Sequence, residues 1–390
     1  MLRPSHPPAG EIHVQQQTAS STEENGSKCK YVTTDGVRAV TDGIQPNTES
    51  RVRDVDRKLP WLRVRMPTGE HFKGEYSESS MAKQKLLDQI ARLPCWLGAV
   101  EISPLLGGMT NHNFLVADRH ARRFVVRIGR DLPEHGVMRF NELAAARAAH
   151  AAGISPEVIH AGDGILVSRY IDGRAFAPED VREARHLDRI VDLVRRCHLD
   201  IPRYFRGPAL IFWVFQVVRN YLAKLAEVGK NPLGLELPKL ARISMLLEQM
   251  VGPVTIVFGH NDLLAANLID DGERLWLIDW DYAGFNSPLF DLANLSSNNA
   301  LTPDMETLLL QRYFGRFTDE ACHRGFVAMK CASLLRELLW AAVSQASSTI
   351  EFDYASYAND YLTRFEWMWQ DVQRNMDTKP GDTMNPETKA

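Results

Sequence analysis

The run His260-Asn261-Asp262-Leu263-Leu264-Ala265-Ala266-Asn267, followed by Leu277-Ile278-Asp279-Trp280-Asp281, sets a carboxylate, an amide and a second carboxylate between apolar stretches. Those groups suit a site that holds magnesium and a hydroxyl nucleophile against a nucleoside triphosphate. In phosphoryl transfer a protein mostly positions groups and neutralises charge. Asp262 is placed to orient an attacking hydroxyl or accept its proton. Asn267 and Asp279 offer hard oxygens to a metal whose other ligands are phosphate and water, as magnesium prefers. The chemistry expected is transfer of a phosphoryl group to a small hydroxyl compound.

The surrounding elements must bring these side chains together. Thr255 to Phe258 reads as a strand entering the turn, and Asn267 to Ile269 pairs with Leu275 to Ile278 across Asp271-Gly272, a strong hairpin signal. The three groups would then converge at one end of a small sheet. The spacing HxDxxxxN with a later aspartate is the catalytic-loop arrangement of kinases. His260 is expected to be a buried hydrogen-bonding residue that holds the loop. Upstream, Leu106-Gly107-Gly108-Met109-Thr110-Asn111 lies between predicted strands. Gly108 lets backbone approach phosphate, with Thr110 and Asn111 as donors. Arg127 sits among apolar residues in Phe124-Val125-Val126-Arg127-Ile128, and a buried cation needs a partner. Glu142 on the following helix is the expected one, leaving Arg127 to reach the α- and β-phosphates.

The chain has 390 residues, 45% hydrophobic and 24% charged, with a formal net charge of -4. Nothing there resembles the basic footprint of a nucleic-acid binder. Five scattered cysteines show no metal or disulfide spacing, in keeping with a cytoplasmic protein. The apolar run Leu210 to Val218 is far short of the roughly 20 residues of a membrane span and reads as buried helix. Residues 1–80 carry too little apolar patterning to order themselves. A nucleotide-binding lobe of strands and one helix is expected over 81–173, with strands at Glu101–Leu106, Asn113–Ala117 and Arg123–Ile128. A catalytic and substrate-binding lobe should follow over 174–375, with helices at 180–199, 209–228, 236–250, 303–315, 318–346 and 353–373. A loose tail is expected over 376–390.

These stretches resemble the choline/ethanolamine kinase family, within the aminoglycoside phosphotransferase and protein-kinase-like group. The carriers are Gly107-Gly108-Met109-Thr110-Asn111, Val126-Arg127-Ile128, the block His260 to Asn299, and Ser347-Ser348-Thr349-Ile350-Glu351-Phe352. The resemblance covers roughly residues 81–372 and implies an α+β, two-lobed protein-kinase-like fold. The N-terminal lobe would be a small antiparallel sheet and the C-terminal lobe mainly helical. It implies ATP and Mg2+ as cofactors, Asp262 as catalytic base, Asn267 and Asp279 as metal ligands, and Asp291 as a brace for the catalytic loop. Arg127 stands where protein kinases have lysine. The acceptor would be choline or ethanolamine.

A quaternary ammonium has no N–H and is bound by aromatic faces and a diffuse negative field. Candidates are Tyr282, Trp340, Tyr354 and Tyr357, with Asp281 and Glu337 supplying charge. One departure stands out. Animal members of the family tend to carry a Trp-x-x-Trp pair, whereas Glu337-Leu338-Leu339-Trp340 keeps only the second tryptophan. That weakens choline against ethanolamine or another small alcohol. Rival acceptors are an aminoglycoside or thiamine, and a catalytically silent nucleotide-binding scaffold is the rival of another class. Oligomeric state, a homodimer included, is left open.

Overall fold

The computed structural model describes residues 78–105, 111–229, 231, 233–315, 317–348 and 352–377. Residues 1–77 of the extension expected over 1–80, residues 378–390 of the tail expected over 376–390, and Gly108 and Thr110 lie outside the described residues. Residues 78–80, expected to belong to that extension, instead open the helix α1 (Glu78–Ala91).

The first lobe holds β1 (Val100–Pro104), β2 (His112–Asp118), β3 (Arg123–Ile128), α2 (Arg139–Ala151), β4 (Val158–Gly162) and β5 (Ile165–Arg169). The strands form an antiparallel sheet in the order β1-β2-β3-β5-β4. Strand side chains alternate between faces. Phe114, Val116, Phe124, Val126, Ile165 and Val167 fill one face with Ile90 and Trp96. Because Phe124 and Val126 turn to that core, Arg127 must turn the other way, where α2 carries Glu142. The alanines of α2 (Ala145, Ala146, Ala148, Ala149) belong to the core of the second lobe instead. Their small side chains let the helix that carries Glu142 lie close against that lobe.

The second lobe comprises β6 (Arg174–Ala175), α3 (Pro178–Val181), α4 (Ala184–Tyr204), α5 (Val214–Val228), α6 (Leu237–Val251) and β7 (Val257–Gly259). It continues through β8 (Leu268–Asp270), β9 (Leu275–Leu277), β10 (Gly284–Asn286), α7 (Pro288–Asn299), α8 (Pro303–Phe314), α9 (Glu320–Ser347) and α10 (Tyr354–Asp377). The expected hairpin is β8–β9, with Leu268 opposite Leu277. Helix α9 is buried along most of its length, as an α-helix apolar on all sides should be. Four polar residues interrupt it: Ser333, Arg336, Glu337 and Ser344 are all buried.

Three features depart from the sequence reading. The helix expected from residue 209 begins only at Val214, and the preceding residues run extended beside β10. Phe212 N–H donates to Phe285 O and Phe285 N–H to Leu210 O, each at 2.9 Å. Pairing with β10 satisfies backbone groups that a helix would have had to satisfy internally. Ile211 is therefore 78% exposed rather than buried. The close approach requires Gly284, where a Cβ would lie 2.7 Å from Leu210 O. Neither β10 nor α7 was anticipated as an element, and both turn out to shape the catalytic loop.

Candidate active site

The catalytic loop leaves β7 at Gly259, and its path is set by side chains from α7. Asp291 accepts the backbone N–H groups of His260 (2.8 Å) and Asn261 (2.7 Å) and faces His198 Nε2 at 2.9 Å. Burial works against the Asp291 charge, but His198 and the backbone donor at His260 outweigh it and hold the carboxyl below its usual range. Farther along the same helix, Asn294 accepts the Leu263 N–H at 2.6 Å and Asn299 accepts that of Ala265 at 3.1 Å. One helix face thus satisfies the loop's backbone donors, which would be costly to bury unpaired. Asn261 takes a left-handed backbone conformation at φ 66°, unfavourable for a residue with a Cβ. It is held there by bonds from Asn261 Nδ2 to Tyr282 O at 2.9 Å and from Asn286 Nδ2 to Asn261 Oδ1 at 3.1 Å. His260 is fully buried and donates Nε2–H to Ile278 O at 2.9 Å. Burial lowers its pKa, so it ties the loop to the returning strand as a neutral ring.

That tie brings the expected groups to one place. Asn267 Nδ2 donates to Asp262 O at 2.9 Å, which turns its amide oxygen to the opposite side. Asp279 follows Ile278 in a left-handed conformation, φ 70°, and keeps a third of its side chain open. The Asp262 carboxyl is pushed up to about 7, first by burial and further by Glu337 and Asp279, with Arg336 opposing. Asp262 and Asp279 therefore share one electrostatic environment. Asn267 and Asp279 present the hard oxygens that suit magnesium, so the donor set fits that ion.

On the first-lobe side, Arg127 lies between three carboxylates. Its Nη1 meets Glu142 at 2.7 Å, and its Nη2 meets Asp279 at 2.7 Å and Asp281 at 3.1 Å. Arg139 adds contacts to Glu142 at 2.6 Å and Asp281 at 2.8 Å. Asn111 Nδ2 also donates to Asp281, at 3.1 Å. Burial disfavours the Arg127 charge, but Asp279, Asp281 and Glu142 hold its proton more tightly than usual. Asp281, expected beside an amino alcohol, is engaged by two arginines and an asparagine, partners that were not foreseen because they come from the other lobe.

The aromatic candidates gather on the opposite side of Asp262. Trp340 lies 5.8 Å from Tyr354 and 5.7 Å from Tyr357, ring to ring. Tyr357 donates its hydroxyl to Glu337 Oε2 at 3.1 Å, while Tyr354 donates to Ser348 at 2.9 Å. Glu337 forms a close ion pair with Arg336. Arg336, 1% exposed, also approaches Asp262 Oδ1 at 3.5 Å and stands 4.3 Å from the Tyr282 ring centre. The sequence reading missed Arg336. Its signal was there, a charged pair inside Leu334-Leu335-Arg336-Glu337-Leu338-Leu339, since a leucine run buries whatever it encloses and buried charge must be paired.

A five-stranded antiparallel sheet over a helical lobe, with an aspartate loop and a metal-suited Asn–Asp pair, defines a protein-kinase-like phosphotransferase. The description of the choline/ethanolamine kinase family matches residues 102–309, and the chain belongs to that family. Protein LicA of Haemophilus influenzae is 26% identical over 260 residues, 64% of this chain and 75% of that protein. Human ethanolamine kinase 2 is 30% identical over 261 residues, 60% of this chain and 66% of that one. The crystal structure of a choline/ethanolamine kinase family protein from Mesorhizobium loti superposes with a TM-score of 0.62 at 27% identity. It covers 76% of this chain and 98% of its own. The chain is an ATP-dependent phosphotransferase acting on an alcohol. Among the described residues no helix is long and apolar enough to cross a membrane.

Proposed function

We propose that this kinase phosphorylates the hydroxyl of a small amino alcohol, choline or ethanolamine, in the cytoplasm, where ATP is abundant. The observation that carries the reading is the convergence of Asp262, Asn267 and Asp279 beside Arg127 on one side and an aromatic and acidic cluster on the other. Asp262 orients the acceptor hydroxyl and takes its proton. The freed oxygen forms a bond to the γ-phosphorus as the bond to the β-phosphate bridging oxygen breaks, releasing ADP and a phosphomonoester. A group raised to about 7 suits that task, because a base works best when its pKa lies near the working pH. Arg127 steers the nucleotide phosphates, with Glu142 fixing its direction. Asn111 and the neighbouring Gly108 and Thr110 segment would cover them. Asn267 and Asp279 would hold magnesium, whose charge offsets that developing on the phosphates. His260 and Asp291 position the loop, and Tyr282, Glu337, Trp340, Tyr354 and Tyr357 receive the amino end of the acceptor.

The test is incubation of the full-length protein with ATP, magnesium and each amino alcohol, reading ADP and the phosphorylated product together. Equal amounts of ADP and phosphomonoester are expected, lost on chelation and restored by added magnesium. ADP release with no phosphorylated acceptor, or none at all, overturns the reading.

A further inference from the structure

We infer that Arg336 is an internal cation that sets acceptor specificity, reserving the site for an alcohol with an N–H-bearing ammonium and disfavouring a quaternary one. The inference rests on the amino-alcohol reading above and selects within it.

The geometry is that of a box already holding a positive charge. The Arg336 guanidinium carbon stands 4.3 Å from the ring centre of Tyr282 and 5.7 Å from that of Phe212. Those are cation–π distances, within about 6 Å of a ring. The same guanidinium pairs with Glu337 and contacts Asp262 at 3.5 Å. A trimethylammonium group would need such a ring face and such a carboxylate for itself, having no other means of being held. Here both are already shared with a charge of its own sign. Nor does Arg336 have anywhere better to go. It is buried in the middle of α9, and leaving would strand the Glu337 carboxylate, itself 5% exposed.

A primary ammonium is bound differently. Its N–H groups reach carboxylate or hydroxyl oxygens directly, so it can share Glu337 or Asp262 with Arg336 as two donors share one carboxylate. An independent feature points the same way. The Tyr282 hydroxyl is buried and has no hydrogen-bond partner among the described residues, although buried polar groups as a rule find one. An N–H donor from the acceptor would satisfy it, whereas a methylated nitrogen would not. Glu337 fits this scheme too. Buried beside Tyr357, whose hydroxyl donates to it at 3.1 Å, it offers the carboxylate a primary ammonium prefers.

The experiment is a graded acceptor series with the full-length enzyme: ethanolamine, its monomethyl and dimethyl derivatives, and choline. In the wild type kcat/KM should fall along the series, by about tenfold or more from first to last. Arg336→Met should shift the choline-to-ethanolamine ratio toward choline by about tenfold. The same change should turn tetramethylammonium from a weak into an effective competitive inhibitor. If stranding Glu337 keeps that variant from folding, Arg336→Gln, which removes the charge yet can still donate a hydrogen bond to Glu337, is read the same way. Wild-type enzyme that uses choline as well as ethanolamine overturns the inference, as does an unchanged ratio in a folded variant. Failure to phosphorylate any of the four acceptors would instead sink the amino-alcohol reading itself.

Discussion

Arg127 and Arg336 flank the same catalytic aspartate region, and each is a buried arginine among carboxylates. Around Arg127 and Arg139 stand Glu142, Asp279 and Asp281, three carboxylates to two guanidiniums. Around Arg336 stand Asp262 and Glu337, two to one. Each cluster has one carboxylate in excess, and on our reading each excess awaits a cation: magnesium on the nucleotide side, the acceptor's ammonium on the other. They differ in where their partners come from. The Arg127 cluster is built across both lobes, on the side where we propose that the nucleotide binds. The Arg336 cluster is built mainly on one helix, on the side where we propose that the acceptor binds. The two arginines look alike in sequence, each a charge enclosed by apolar residues, and only their neighbours separate them.

Four measurements would break or sharpen that contrast, beginning with Asp262, the carboxylate of the Arg336 cluster that also feels Asp279. Asp262→Asn should lower kcat by about 10²–10⁴-fold, the usual contribution of a positioned base, with KM for ATP little changed in steady-state assays. Turnover within tenfold of wild type would mean that neither cluster is arranged around the base.

Arg127→Met should do its damage on the nucleotide side and in the fold. It leaves Arg139 as the one guanidinium of the cluster, with Asp279 deprived of its ion pair, and breaking a buried pair costs about 3–5 kcal/mol. At a few degrees per kcal/mol, thermal denaturation should move down by roughly 10 °C. KM for ATP should rise by about tenfold while the ranking of acceptors stays as it was. A changed ranking would blur the two sites into one.

Asp291→Asn touches neither cluster, only the loop between them. It weakens charge-assisted hydrogen bonds worth about 1.5–3 kcal/mol, so kcat should fall about tenfold with smaller changes in either KM. An effect confined to stability, with kcat intact, would show that the loop keeps its path without this brace.

The smallest effect is on pH. The Asp262 pKa is raised to about 7, so the base loses its charge as pH falls through 7, and kcat/KM for the acceptor should decline on that side. Glu337 is one of the charges that raise it, so Glu337→Gln should move the midpoint to lower pH. A midpoint that stays put would place Glu337 too far away to be felt by the base.

Much of this was legible beforehand, for a reason visible in particular residues. His260, Asp262 and Asn267 lie within one short loop, and the β8–β9 hairpin that returns Asp279 to them is set by local turn chemistry at Asp271-Gly272. Arg127 and Glu142 were readable as a pair because a cation in an apolar strand demands an anion on the next element. The ion pairs of Asp281 were not foreseen because Arg139, one of the two arginines that engage it, is 142 positions away in the other lobe. The segment before Val214 was misread because an apolar run fits a helix or an extended chain equally well until its backbone partner is known. The brace from Asn294 and Asn299 was missed because asparagines on a helix reveal nothing of the backbone donors that face them.

By itself, then, the amino-acid order determined the loop, the hairpin, the family and the chemistry, since each rests on residues close enough in the chain to constrain one another directly. Apart from the pair Arg127 and Glu142, tertiary structure decided which charges share a buried environment. Arg336 and Asp262 are 74 positions apart, and no local pattern encodes the contact between them. The physical reason is that the energy of a charge depends on its distance to other charges and on the water excluded around it. Both quantities exist only once the chain has folded.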